Sequence, residues 1–185
     1  MSQVHVPEIL IAHEILQGVA TVAPQDAETM VDAILRASKL FVYGAGRSGF
    51  MMQAFAMRLG HMGLSAWVVG ETTTPAIGPG DLLIVGSGSG QTRITLAMVE
   101  AAKARDATVA ALTAHPDSPI GQACDLVLTI NTPVTKVDKE RPSHQPPGSL
   151  FEQCLLVVCD AIVMRLMARL GTTEEEMRAR HTKLE

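Results

Sequence analysis

The 185-residue chain has no run of basic residues, no long apolar block, no paired cysteine motif and few aromatics. Lys and Arg number 15 against 19 Asp and Glu, for a net charge of -4, so nothing tracks a phosphodiester backbone and nucleic acid is excluded as a partner. No window holds the roughly 18 uninterrupted apolar residues of a membrane helix. Residues Met1 to Ala20 carry His5, Glu8, His13 and Glu14 in place of a basic end and an apolar block. No signal peptide is expected, and the cytoplasm is the expected compartment. The three cysteines, Cys124, Cys154 and Cys159, lack CxxC spacing, and the last two stand about 140° apart on a helix. They read as reduced, buried thiols. The six histidines form neither HxH nor HExxH, so no metal site is expected.

What is present is periodic. Val6 to Thr21 starts with a proline suited to a first helical position and repeats Ile11, Ile15 and Val19, as an amphipathic helix does. Pro24 to Ser38 predicts a second helix, with acids in its first turn and Arg36 near its end. Five short apolar runs follow: Leu40 to Tyr43, Ser65 to Val69, Leu82 to Val85, Thr108 to Leu112 and Leu126 to Ile130. They lack polar alternation, so both faces of the sheet should be covered. Helical stretches at Arg47 to Met62 and Gln91 to Arg105 bridge strands in parallel fashion. The predicted architecture is α/β, a three-layer doubly wound sheet of five parallel strands in order 2-1-3-4-5, with extra N-terminal helices.

A single domain over 1–185 follows, with helices to 39, a sheet core at 40–130, a loop at 131–149 and helices from 150. The loop holds Pro133, Pro142, Pro146, Pro147 and Gly148 among Lys136, Lys139 and Arg141, and its length suggests a lid or an assembly segment. Leu150 to Leu170 is apolar on more than one face, which predicts an oligomer contact. Thr173-x-x-Glu176 then opens a short solvated helix, with Glu174–Arg178 and Glu176–Arg180 as i,i+4 pairs.

Chemistry concentrates at two glycine turns, each between a strand and a helix: Gly44-Ala45-Gly46-Arg47-Ser48-Gly49 and Gly86-Ser87-Gly88-Ser89-Gly90-Gln91-Thr92. Such turns aim free N–H groups and the positive end of a helix dipole at one spot. In the predicted strand order both face the crevice at the topological switch point. The first turn spells G-x-G-x-x-G, and a dinucleotide would further want an acid after the second strand, where Glu71 stands. Yet Ser48, Ser87, Ser89 and Thr92 bring four hydroxyls to the crevice, which suits a terminal phosphate. No G-x-x-x-x-G-K-[ST] is present. Ser149-x-x-Glu152 reads, on its residues, as a capping box for the helix that follows.

These two turns, with Val69-Gly70-Glu71-Thr72-Thr73-Thr74-Pro75 between them, resemble the sugar isomerase (SIS) domain. The segments Arg58 to Pro75 and Ser149 to Gln153 resemble the 6-phospho-3-hexuloisomerase family within it. The resemblance implies interconversion of D-arabino-hex-3-ulose 6-phosphate and fructose 6-phosphate through a 2,3-enediol, in formaldehyde fixation, with no cofactor and no metal. It implies that Ser48, Ser87, Ser89 and Thr92 bind the phosphate, with backbone amides from Gly88, Gly90 and Gln91. It makes Glu152 the general base, and His61 an acid-base group reaching into a neighbouring subunit's site. Without the resemblance, His61 reads as a cation at a helix C-terminus. Arg47 holds a sugar oxygen or the enediolate, or adds charge near the phosphate, and Glu71 with Thr72 to Thr74 lines the crevice mouth. A homotetramer is implied, with 3-hexulose-6-phosphate synthase as pathway partner. The rivals are another phosphosugar aldose-ketose isomerase, a non-catalytic SIS sensor of sugar phosphates, and a dinucleotide enzyme.

Overall fold

The computed structural model describes residues 6–134, 138 and 143–181. His5 and the middle of the loop, with Lys136, Lys139, Arg141 and Pro142, lie outside the described residues. The chain runs α1 (Pro7–Val19), α2 (Pro24–Arg36), β1 (Leu40–Gly44), α3 (Arg47–His61), β2 (Ala66–Val68) and β3 (Leu82–Gly86). It continues α4 (Arg93–Lys103), β4 (Thr108–Thr113), α5 (Pro119–Ala123), β5 (Leu126–Thr129), α6 (Ser149–Leu170) and α7 (Glu174–Ala179). All strand pairs are parallel, in order β2-β1-β3-β4-β5 as the sequence predicts.

Alternation along the strands divides the core. Leu40, Val42, Leu82, Ile84, Ala110, Leu112 and Leu128 meet α2, α3 and α6 on one face. Phe41, Leu83, Val85, Val109 and Ala111 meet Val99 and Ala102 of α4 and Ile120 of α5 on the other. Each large apolar side chain so buried is worth roughly 1.5–3 kcal/mol, which is why a sheet with no polar alternation is stable only between two helical layers.

Ten residues of α6, among them Phe151, Leu155, Ile162 and Leu166, are buried against neighbouring elements, while Val157, Met164 and Leu170 remain exposed apolar residues on it. Two features of the chain differ from expectation. α4 starts at Arg93, two residues later than expected, because Gly90 has φ +61° and Thr92 is extended. α5 went unread, although Ser118-Pro119 carries its signal: Pro119 takes the first turn and Ser118 Oγ accepts from the Gly121 N–H at 3.3 Å.

The capping box of α7 is present in both directions, and Glu174 pairs with Arg178 at 2.6 Å. Arg180 instead turns to the end of α3 and donates to the His61 carbonyl oxygen at 3.2 Å, so α7 is docked as well as solvated. Cys154 and Cys159 are buried free thiols and Cys124 is half-buried. Burial pushes the Cys124 thiol up to about 12 and Cys154 up to about 11, so they stay protonated. No helix among the described residues is long and apolar enough to cross a membrane.

Candidate active site

β1 and β3 are neighbours, and Gly44 pairs with Gly86 at their carboxyl ends. The chain leaves β1 toward β2 and returns to place β3 on the other side of β1, so the turns after β1 and β3 open at the switch point. The first turn depends on its glycines. Gly46, the N-cap of α3, has φ +60°, and a Cβ on Gly49 would lie 2.5 Å from the Gly44 carbonyl oxygen. α3 can therefore start close against the strand end and bring Ser48 to the crevice.

The turns share a cavity of about 160 Å³. Ala45 and Ser48 line it from the first turn, and Gly86, Ser87, Gly88, Ser89 and Thr92 from the second. Val134, Pro147 and Gly148 close it from the long loop, with Phe151 and Glu152 from the start of α6. The volume is well below the ~300–1,000 Å³ of clefts for drug-sized ligands, which suits a phosphate and a short chain better than a dinucleotide. Ser48 sits in the first turn of α3 and Thr92 stands at the N-cap position of α4 without a side-chain capping bond, so two helix N-termini border the cavity. No Lys or Arg among the described residues lines it, and what the described lining offers an anion is dipoles, amides and hydroxyls.

A family model for the SIS domain matches residues 33–158, a span holding both glycine turns and Glu152. The chain belongs to the SIS domain family. A Bacillus subtilis (strain 168) protein named 3-hexulose-6-phosphate isomerase is 43% identical over 98% of this chain and 97% of its own length. A Mycobacterium gastri protein of the same name is 41% identical over 95% and 88%. Among solved structures, a Methanococcus jannaschii protein whose structure infers a molecular function of 3-hexulose-6-phosphate isomerase superposes with a TM-score of 0.84. It is 30% identical, covering 97% of this chain and 99% of that one.

Within this SIS domain the expected residues divide. Ser48, Ser87, Ser89, Thr92, Gly88 and Glu152 meet at the cavity, whereas Gly90 and Gln91 do not line it. Their amides are engaged inside the turn: Gly90 donates to the Ser87 carbonyl oxygen at 3.2 Å and Gln91 to Ser89 Oγ at 3.3 Å. Gly88, Ser89 and Thr92 carry the amides of this turn without a partner among the described residues. Gly88 backs onto the Phe151 ring, where a Cβ would come within 2.9 Å.

Glu152 is not a capping residue. Gly148, left-handed at φ +87°, is the N-cap of α6, and no side chain caps that helix. The Glu152 carboxylate instead meets Arg47 Nε at 2.6 Å, with Glu152 13% exposed and Arg47 59%. Arg47 thus stands at the cavity rim without lining it.

His61 is elsewhere in the chain. It ends α3, about 20 Å along the axis from Ser48. It borders a separate, open cavity of about 690 Å³ with Glu71, Trp67, Arg180 and His181. Its ring lies 4.9 Å from that of His181, and it is only 8% exposed. Burial, then His181 and Arg58, lower its pKa, so the expected cation at the helix end gives way to a neutral imidazole. Glu71 faces that second cavity, not the glycine turn, which removes the acid a dinucleotide reading needs. Thr74 donates to the Val68 carbonyl oxygen at 2.6 Å and is likewise away from the phosphate crevice. Pro147 and Gly148 were not anticipated as lining residues, although Pro146-Pro147-Gly148 marks a turn before α6.

Proposed function

We propose that the chain is a 3-hexulose-6-phosphate isomerase, interconverting D-arabino-hex-3-ulose 6-phosphate and fructose 6-phosphate. One observation carries the reading: the hydroxyls of two adjacent glycine turns share a small cavity with the carboxylate of Glu152. The relatives at 41–43% identity that bear this name span nearly the whole chain.

Ser48, Ser87, Ser89 and Thr92 hold the phosphate, with the amides of Gly88 and Ser89. Gly90 shapes the turn through its bond to the Ser87 carbonyl oxygen, and the Gln91 amide contributes after Ser89 Oγ turns to the ligand. Glu152 removes the proton from C2 of the 3-ulose, the electron pair forms the C2=C3 bond, and the C3 oxygen takes a proton. The 2,3-enediol then loses the proton on its C2 oxygen, C2=O forms, and Glu152 returns a proton to C3. Arg47, already against Glu152, offers its guanidinium to the enediolate oxygens as they gain charge. His61 assists ring opening in a neighbouring subunit's site. The reaction calls for neither a cofactor nor a metal.

The chain forms one SIS domain over its length and assembles as a homotetramer. Exposed apolar residues at i,i+7 on three helices, Ile9 and Leu16, Phe50 and Met57, Val157 and Met164, supply surface for that contact. Such an enzyme works in the cytoplasm in the ribulose monophosphate pathway of formaldehyde assimilation, after 3-hexulose-6-phosphate synthase.

The test mixes the chelator-treated protein with 3-hexulose 6-phosphate and follows fructose 6-phosphate. Product sustains the reading. Binding without product turns the chain into a sugar-phosphate sensor, and turnover of arabinose 5-phosphate alone makes it an aldose-ketose isomerase.

A further inference from the structure

α1 buries only Gly18 fully and packs Ile15 and Val19 against the core in part. Its polar contacts are more telling. The Glu14 carboxylate receives three hydrogen bonds from one short segment: Ser143 Oγ at 2.8 Å, the His144 N–H at 2.9 Å and Gln145 Nε2 at 2.9 Å. Ser143 Oγ also accepts from the Gln145 N–H at 3.1 Å, and Gln145 is buried. Two residues past the end of α1, Thr21 Oγ1 accepts from the Asn131 N–H at 3.0 Å, where the same long loop begins. α1 and the residues just after it thus hold both ends of the segment that supplies Val134, Pro147 and Gly148 to the cavity.

We propose that Glu14 is a positioning residue for the isomerase site, fixing residues 143–148 so that Gly148 starts α6 with Glu152 turned toward the serine hydroxyls. The inference rests on the isomerase reading for its kinetic part. The path is short: Ser149 N–H donates to the Pro146 carbonyl oxygen at 3.1 Å and Glu152 N–H to that of Gly148 at 3.1 Å. A Cβ on Gly148 would lie 3.3 Å from Glu152 Oε1, so the carboxylate rests over the backbone that Glu14 tethers. α1 is itself located by Gly18, which abuts Cys154 of α6 and Thr132, and by Cys154 Sγ, 3.7 Å from the Ile15 carbonyl oxygen. The hydrogen bonds outweigh burial and lower the Glu14 pKa, so its charge persists at neutral pH. The phosphate hydroxyls stand on β1 and β3 turns, outside this tether.

That separation supplies the test. Glu14→Ala should lower kcat by about tenfold or more, as a shift of the base well under 1 Å suffices for that, while inorganic phosphate inhibits with a Ki within twofold of wild type. Glu14→Gln, which keeps the size and part of the acceptor capacity, should fall between the two. Amide exchange should rise at His144 and Glu152 in Glu14→Ala and stay unchanged in β3. A kcat within threefold of wild type overturns the proposal, as does an equal loss of phosphate affinity or unchanged exchange at His144 and Glu152. A wild-type protein without turnover overturns the functional reading instead, and the exchange comparison then still decides whether Glu14 fixes the start of α6.

Discussion

Arg47 Nε lies 2.6 Å from Glu152 Oε2, joining the first residue of the helix after β1 to the first turn of α6 across 105 positions of sequence. The pair brings the candidate base and the candidate enediolate partner to one rim of the cavity. Glu152→Gln keeps the shape and removes the proton acceptor. Its kcat should fall by about 10²–10⁴ with fructose 6-phosphate binding retained, as steady-state kinetics and calorimetry on one preparation would establish. Turnover within tenfold of wild type removes Glu152 from the mechanism.

The serines predict the opposite split. Ser87 and Ser89 line the cavity from the β3 turn. Ser87→Ala and Ser89→Ala should each weaken fructose 6-phosphate binding by about 1–3 kcal/mol, since each removes a hydrogen bond to a charged group. Titration calorimetry reads this directly. Unchanged affinity in both variants moves the phosphate to another place.

Much of this was legible in the chain. Strand order and both glycine turns follow from apolar runs and turn residues that are local in sequence, and so does the meeting of Ser48 with Ser87 and Ser89. The Arg47–Glu152 contact and the three bonds to Glu14 were not, because their partners lie more than 100 positions apart and no local periodicity encodes them. Ser149-x-x-Glu152 misled for a different reason. A capping box needs Ser149 as the N-cap, and left-handed Gly148 takes that position, moving Ser149 into the helix and freeing Glu152 to line the cavity. The places of α1 and α2 were not specified either; they cover part of α6, while Val157, Met164 and Leu170 stay exposed.

His61 makes a pH prediction. The folded protein disfavours its imidazolium chiefly through burial, with electrostatic contributions from His181 and Arg58, and its pKa lies below the unfolded value of 6.5. The unfolded chain therefore binds this proton more readily, and stability falls as pH drops from 6.5 through the lower folded pKa. Thermal unfolding between about pH 7.5 and 5.5 should show a larger fall in Tm for wild type than for His61→Gln. Glu14, Asp125 and Glu176 also have lowered pKa values, but from starting points of 4.5, 3.8 and 4.5, so they act in a more acidic window. Equal slopes for the two proteins would mean that His61 does not titrate differently on folding.

One helix carries two glycines whose replacement should have opposite signs. A Cβ on Gly49 meets the Gly44 carbonyl oxygen at 2.5 Å, and that oxygen belongs to the backbone at the end of β1, where no side chain can move aside. Gly49→Ala must push α3 off the strand, at about 1–3 kcal/mol, and the displacement carries Ser48 with it. Gly60, in the last turn of the same helix, has open space around its Cβ position and no positive φ. Gly60→Ala should add about 0.4–1 kcal/mol by narrowing the unfolded ensemble. For a chain of this size the changes correspond to a Tm lowered by roughly 2–12 °C in the first variant and raised by roughly 1–4 °C in the second. Phosphate affinity should fall in Gly49→Ala alone. A stable Gly49→Ala protein with full affinity would mean that the close strand-helix approach is not what sets the anion site.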